Sequence, residues 1–210
     1  MYKDLSFLAL GWILWCFIHS ILIHPPVIHW LKSTLREKFR YFRLAYNLFA
    51  FFSLAPLVVW GESISYPSLF VWEWPWSLIR GLLWAVSFWI FVAGVRSYDM
   101  VEFLGLSFIK RRAQETPASI SFDGIHRWSR HPWYLAGFMV LWTRHLSPQT
   151  LVVNLLLSSY LVVGAHLEEI KLVNEYGESY LQYRKEVSMF IPWRKMRLLL
   201  ADIFQFRGLP

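Results

Sequence analysis

Apolar residues in this chain come in long uninterrupted runs, not in the short alternation of a strand or the one-sided stripe of a surface helix. Leu5–Ile23 contains no Asp, Glu, Lys or Arg over 19 residues, Leu44–Trp60 none over 17, and Leu151–Leu167 none over 17. Leu78–Val95 is apolar except for Arg80 near its start, from where a long side chain reaches the membrane interface. A helix needs roughly 20 apolar residues to cross about 30 Å of hydrocarbon, so each run is read as a membrane span. A shorter stretch, Trp133–Thr143, holds 11 residues before Arg144. It is read as the fourth of five spans, whether tilted, re-entrant or one short half of a hairpin. The spans are then about 5–23, 44–60, 78–95, 133–146 and 151–167. The expected fold is all-α: a polytopic membrane helical bundle of about five transmembrane helices with interfacial cytoplasmic helices. Residues 1–210 form a single membrane domain, of which 168–210 are a cytoplasmic C-terminal helix and tail.

Polar residues organise the segments between the spans. Pro25-Pro26 ends the first span, because proline cannot continue a helix. Val27–Phe39 then mixes Val27, Ile28, Trp30, Leu31 and Leu35 with Lys32, Arg36 and Lys38, the pattern of an amphipathic helix lying on a membrane surface. Near the C-terminus Tyr176, Tyr180, Tyr183 and Val187 are spaced 4, 3 and 4. That spacing predicts one helical face, which either packs or closes over a cytoplasmic pocket.

Charge fixes the expected orientation. Of the 21 Lys and Arg residues, five lie in 32–43, six in 96–130 and seven from Lys171 onward. With five spans these groups share one side of the membrane. The positive-inside rule then places the N-terminus outside and the C-terminus in the cytoplasm, with the bacterial inner membrane as the expected location. Composition agrees: 56% of residues are hydrophobic, 13 are Trp, and 17% are charged, against about 25% charged in soluble domains. The net charge of +7 is therefore an orientation signal, and no nucleic-acid partner is expected.

The single Cys16 leaves no intramolecular disulfide and no multi-cysteine metal site, and inside an apolar run it reads as a buried, inert thiol. Leu5–Ile23 is too long for the apolar core of a signal peptide and no small-residue cleavage site follows, so it is expected to be retained. His19, His24 and His29 recur every five residues, which does not align them on one helical face; no metal site is expected.

Two clusters carry candidate chemistry. In the first, Gly124–Gly137, Pro132 is suited to the first position of a helix, where its missing N–H is an orphan in any case. Arg130 and His131 then stand at the entrance of the fourth span. Free N–H groups and a guanidinium there suit an anion, while basic residues also flank membrane helices by default. In the second, Glu168 and Glu169 follow the fifth span at the same membrane depth. Carboxylates beside a span are costly and often functional, though a solvated pair at the boundary is the plain alternative.

Arg130-His131-Pro132-x-Tyr134-x-x-Gly137, followed by Glu168-Glu169-x-x-Leu172-x-x-x-Tyr176-Gly177-x-x-Tyr180-x-x-Tyr183, Val187 and Ile191-Pro192, resembles the isoprenylcysteine carboxyl methyltransferase and phospholipid methyltransferase families. Tyr176 stands where those families usually have Phe. Cys16-Phe-Ile-His19-Ser20, Arg43-Leu-Ala-Tyr46-Asn47 and the stretch from Asp99 through Leu106 resemble the methanethiol S-methyltransferase branch and its denitrification-associated relatives. The resemblance implies a methyltransferase with S-adenosylmethionine bound at the cytoplasmic ends of the last two spans. His131, Pro132, Tyr134, Gly137 and Glu168 would line the cofactor pocket, and Tyr180 and Tyr183 would help to close it. Glu168, Glu169 and Arg130 would act on cofactor or acceptor. The acceptor would be a small thiol or a lipophilic lipid or prenyl-type molecule reaching the site through the bilayer. Two other readings of the scaffold are a non-catalytic membrane subunit linked to respiration or denitrification, and an NADPH-dependent membrane reductase.

Overall fold

The structure, a computed structural model, describes residues 2–97, 99–106 and 123–198. Among these it is helical, with one isolated bridge between Phe70 and Leu146 as the only β-type pairing besides short backbone links. The helices are α1 (Tyr2–Leu22), α2 (Pro25–Leu35), α3 (Phe42–Ser63), α4 (Trp76–Val95), α5 (Met100–Phe103), α6 (Pro132–Trp142), α7 (Pro148–Tyr176) and α8 (Glu178–Glu186). Two 3-10 turns, Arg36–Tyr41 and Gly124–Arg127, lead into α3 and towards α6.

Four helical stretches are long and apolar enough to cross a membrane: Lys3–Leu22, Pro25–Ser63, Trp76–Val95 and Pro148–Tyr176. Their surfaces carry large exposed hydrophobics, among them Phe51, Phe52, Val59, Leu82 and Phe88, each at least 64% exposed. Such a surface is stable against lipid and not against water, and the chain is an integral membrane protein. The fourth expected span is helical over Pro132–Trp142, 11 residues, or about 16 Å at 1.5 Å per residue.

The chain divides into two compact units, and α7 contributes residues to both. Of the described residues, the first unit takes in 2–72, 99–106 and 144–160. Its apolar centre is Leu8, Trp12 and Val153, with Leu54, Leu57, Leu156 and Leu157 packed around them. α7 starts on a reciprocal cap: Ser147 N–H donates to Thr150 Oγ1 at 2.7 Å, and Thr150 N–H to Ser147 Oγ at 3.4 Å. Both residues are buried, so donors that water cannot reach are met by side chains.

Of the described residues, the second unit takes in 73–97, 123–143 and 161–198. Here α4 and α6 approach closely. Ser87 Oγ donates to the Ala136 carbonyl at 3.0 Å, and Trp133 Nε1 to the Phe91 carbonyl at 3.2 Å. Gly94 makes room for the Trp133 indole: a Cβ there would stand 2.1 Å from Nε1. Small residues at a helix crossing are the usual means of close approach in membranes.

The tyrosine stripe expected on one helix is distributed differently. Gly177 adopts φ 56°, a left-handed conformation that breaks α7 from α8, and glycine takes it without a Cβ clash. Val187 lies past the end of α8 in extended backbone. Tyr180, Tyr183 and Val187 still form one buried cluster, with Leu172, Val173 and Tyr176 against it. A sharp turn, not a continuous helix, brings them together.

Candidate functional site

The Arg130–Gly137 motif is positioned from both directions. Pro132 is the first residue of α6, and the segment before it pairs with the chain that follows α8. Arg130 N–H donates to the Ser188 carbonyl and His131 N–H to the Met189 carbonyl, both at 3.0 Å. Ser129 Oγ also reaches the Met189 carbonyl at 3.1 Å. These bonds satisfy backbone groups at a buried helix entrance and hold Arg130 and His131 over the second half of α7.

The side chains then meet in one ionic cluster. Arg130 Nε donates to Glu169 Oε1 at 2.6 Å. Arg130 Nη1 donates to the carbonyls of Arg184 at 3.1 Å and Val187 at 2.5 Å. The His131 ring bridges the two carboxylates, with Nε2 3.3 Å from Glu169 Oε1 and Nδ1 3.4 Å from Glu168 Oε2. Arg184 Nε lies 3.1 Å from Glu169 Oε2, an ion-pair contact without hydrogen-bond alignment; that oxygen is buried and accepts no hydrogen bond among the described residues. The Tyr134 hydroxyl hydrogen-bonds Glu168, and its ring meets His131 edge-on.

The members differ in access. The side chains of Arg130, His131 and Glu169 are 9%, 3% and 3% exposed, whereas Glu168 and Arg184 are each 42% exposed. The first three form the buried base of the cluster, and the last two face outward from it. Burial pushes the His131 imidazolium down, but hydrogen bonds and charge from Glu168 and Glu169 together outweigh it, so its pKa is raised above 6.5. Burial, followed by the charge of Glu169, raises the Tyr180 phenol, which stays protonated. His126, with burial as its main influence, is held below the ordinary histidine value.

Of the expected site residues, Arg130, His131, Tyr134, Glu168 and Glu169 converge. Pro132 is fully buried and acts as the start of α6. Gly137 faces Leu161 of α7 at ordinary contact distance, a packing position. Tyr183 donates its hydroxyl to the His126 carbonyl at 2.7 Å, fastening α8 to the turn ahead of the motif, and Tyr180 is 2% exposed in the packed cluster beneath. The reading of Arg130 as a free anion ligand meets a guanidinium whose Nε and Nη1 are already engaged within the protein. Arg184 was not among the expected residues. Its position after Tyr183 is the only sequence signal for it, since basic residues are common near the C-terminus of this chain.

The first unit holds a separate polar cluster built from the other motif residues. His19 stacks on Trp15 with ring centroids 4.8 Å apart. The Tyr46 hydroxyl lies 2.7 Å from Nε2 and 2.9 Å from Nδ1 of His19. Ser20 Oγ and Tyr160 Oη are 3.0 Å apart. Arg43 pairs with Glu102 at 3.6 Å, and Asn47 donates to the Phe103 carbonyl at 3.0 Å. The likeness of these three sequence segments thus corresponds to contacts between α1, α3 and α7 and to the docking of α5.

A family model described as NnrU protein matches residues 7–203. A methanethiol S-methyltransferase from a Pseudomonas species is 34% identical over 163 residues, covering 72% of this chain and 60% of that protein. Methanethiol S-methyltransferase 1 of Bradyrhizobium diazoefficiens is 28% identical over 84% of this chain and 63% of its own length. The Mycobacterium tuberculosis methanethiol S-methyltransferase is 30% identical over 83% of this chain and 72% of its own length. The chain therefore spans about three fifths of the length of the first two relatives. No solved structure matches it. The family model takes in both motif regions and nearly the whole membrane-embedded chain, and on that extent this protein is a member of the NnrU protein family.

Proposed function

We propose that this protein is an integral membrane methyltransferase that takes its methyl group from S-adenosylmethionine and delivers it to a small thiol. The observation that carries the reading is the cluster of Arg130, His131, Arg184, Glu168 and Glu169, with its base buried and two charged members exposed. The named activity of the methanethiol S-methyltransferase relatives supports a thiol acceptor over a lipid or prenyl-type one.

The donor set fits the cofactor. Its methionine end presents a carboxylate and an ammonium, and its ribose presents hydroxyls. Arg184 would pair the carboxylate, and Glu168 would accept from the ammonium or the hydroxyls. The buried Ser188 Oγ, without a hydrogen-bond partner among the described residues, would offer a further polar group close by. Arg130 and Glu169 would hold this arrangement rigid and not touch the ligand.

The bound cofactor would supply an electrophilic methyl group on a sulfonium. The protein's part is alignment and exclusion of water. A thiol attacks as thiolate, so its proton must leave first. Glu168, exposed and hydrogen-bonded by Tyr134 and His131, is the proposed proton acceptor. Its neighbours preorganise the carboxylate. In this reading α8 and its Tyr183–His126 bond close the site, and the site opens to the cytoplasm from a bacterial inner membrane with the N-terminus outside, a reading the distribution of Lys and Arg supports.

Calorimetry on the full chain, in detergent and in lipid nanodiscs, tests the cofactor. Saturable S-adenosylmethionine binding, weakened in Glu168→Gln, is the expected result; absence of binding in both media sinks the proposal. NADPH binding in its place would select a reductase. Transfer of a labelled methyl group to methanethiol or to extracted lipid then identifies the acceptor.

A further inference from the structure

The joint between α1 and α3 presents an array of cations that the site described above does not use. Neither α2 nor the 3-10 turn Arg36–Tyr41 has a buried residue. Val27, Ile28, Leu31 and Leu35 are half-buried, whereas Lys32, Arg36, Lys38 and Arg40 are exposed, as are Trp30 at 61% and Tyr41 at 40%. α1 forms one long apolar stretch, and the 22-residue α3, uncharged over Leu44–Trp60, forms the apolar part of the next, so the charged joint between them is read as lying at a membrane surface. Arg43 is paired with Glu102, and Arg40 lies over the Tyr41 ring, donating to its hydroxyl at 2.6 Å. Lys32, Arg36 and Lys38 enter no ion pair among the described residues, and Glu37 is the one acid between Lys32 and Arg43.

Arg36 is the unusual member. Its φ is +50° and its ψ is −120°, and it is the one described non-glycine residue with positive φ. It ends α2 by donating its N–H to the Lys32 carbonyl, a position where glycine is ordinarily favoured because it carries no Cβ penalty. Stopping the helix needs the backbone alone. An arginine held in this conformation adds strain that glycine would relieve, and what it adds in return is a guanidinium at the bend. Lys32 lies one turn back on the same helical face, and Lys38 follows within the turn.

We propose that this elbow binds the phosphate headgroup of an anionic phospholipid, with Arg36 at its centre and Lys32 and Lys38 beside it. The exposed Trp30 and Tyr41 favour lipid over an acidic protein partner, because indole and phenol rings settle at headgroup depth. Basic residues next to a membrane helix attract anionic headgroups in proportion to their number.

The test uses the full chain in nanodiscs and spin-labelled lipids, comparing phosphatidylglycerol with phosphatidylcholine. The expected result is preferential immobilisation of phosphatidylglycerol that weakens as salt rises. Arg36→Gly should lower the preference by roughly fivefold while leaving the unfolding temperature unchanged or higher, since it relieves the backbone. Lys32→Gln/Lys38→Gln should lower the preference without touching the bend. Equal immobilisation of both lipids by the native chain, or full retention of the preference in both variants, overturns the proposal. Displacement of phosphatidylglycerol by millimolar inorganic phosphate would overturn the lipid assignment, since a site needing only free phosphate gains nothing from the bilayer.

Discussion

Arg130 donates from Nε to Glu169 Oε1 at 2.6 Å, and the same guanidinium caps the carbonyls of Arg184 and Val187. One side chain thereby joins the entrance of α6, the second half of α7 and the end of α8. Both partners are nearly inaccessible, at 9% and 3% exposure. Removing one leaves the other charge buried without its main partner, a loss of about 3–5 kcal/mol. Arg130→Ala and Glu169→Ala should each lower the unfolding midpoint in detergent, and the double variant should lose less than the two together. Arg130→Lys should not restore stability, because an ammonium cannot reproduce the planar fork.

His131 gives the cluster a pH dependence of known sign. Its pKa is raised in the folded protein, because the hydrogen bonds and charge of Glu168 and Glu169 outweigh the opposing burial. The imidazolium therefore stabilises the fold fully below the unfolded value of about 6.5. The contribution fades as pH rises through the higher folded value. Denaturant unfolding from pH 5.5 to 9 should show stability falling over the neutral to mildly alkaline range. His131→Gln should flatten that part of the profile, and an unchanged slope in the variant would assign it to another group.

The four long apolar runs were legible because hydrophobic length is a one-dimensional property. Arg130, His131, Glu168 and Glu169 stood out as charges at the ends of such runs, and their convergence follows once α6 and α7 meet. What escaped the sequence is three-dimensional or local. The Tyr176–Val187 spacing looked like one helix, and only the left-handed backbone of Gly177 reveals the turn. The partners of Arg130 had no signal in the sequence, because nothing in its neighbours tells that the carbonyls of Arg184 and Val187, more than fifty residues away, come to meet it. Arg184 carried no signal beyond its charge. Tyr46 was noted for likeness alone and His19 also as one of three histidines off a common face, and their contact across 27 residues depends on how α1 packs on α3.

Gly94 predicts a packing failure. Alanine there would place a methyl group 2.1 Å from Trp133 Nε1, and a ring held by a hydrogen bond to the Phe91 carbonyl and stacked on Phe91 cannot simply swing aside. Gly94→Ala should cost about 1–3 kcal/mol by overpacking and shift the entrance of α6. Gly81→Ala, on the same helix with open space around it, is the control and should be close to neutral. Thermal unfolding of the two variants side by side separates the crossing from a general intolerance of α4 to substitution.

Arg184 separates ligand binding from folding. It is 42% exposed, and its contact with Glu169 lacks hydrogen-bond alignment, so its loss should cost the fold no more than about 1 kcal/mol. Arg130 still neutralises Glu169 in its absence. If Arg184 pairs the carboxylate of S-adenosylmethionine, Arg184→Gln removes a charge-assisted bond worth about 1.5–3 kcal/mol, a weakening of roughly ten- to a hundredfold. Calorimetry should therefore show a raised Kd with an almost unchanged unfolding temperature. The opposite result, native affinity with a clear drop in thermal stability, would make Arg184 a structural partner of Glu169 and leave Glu168 as the exposed charge that meets the ligand.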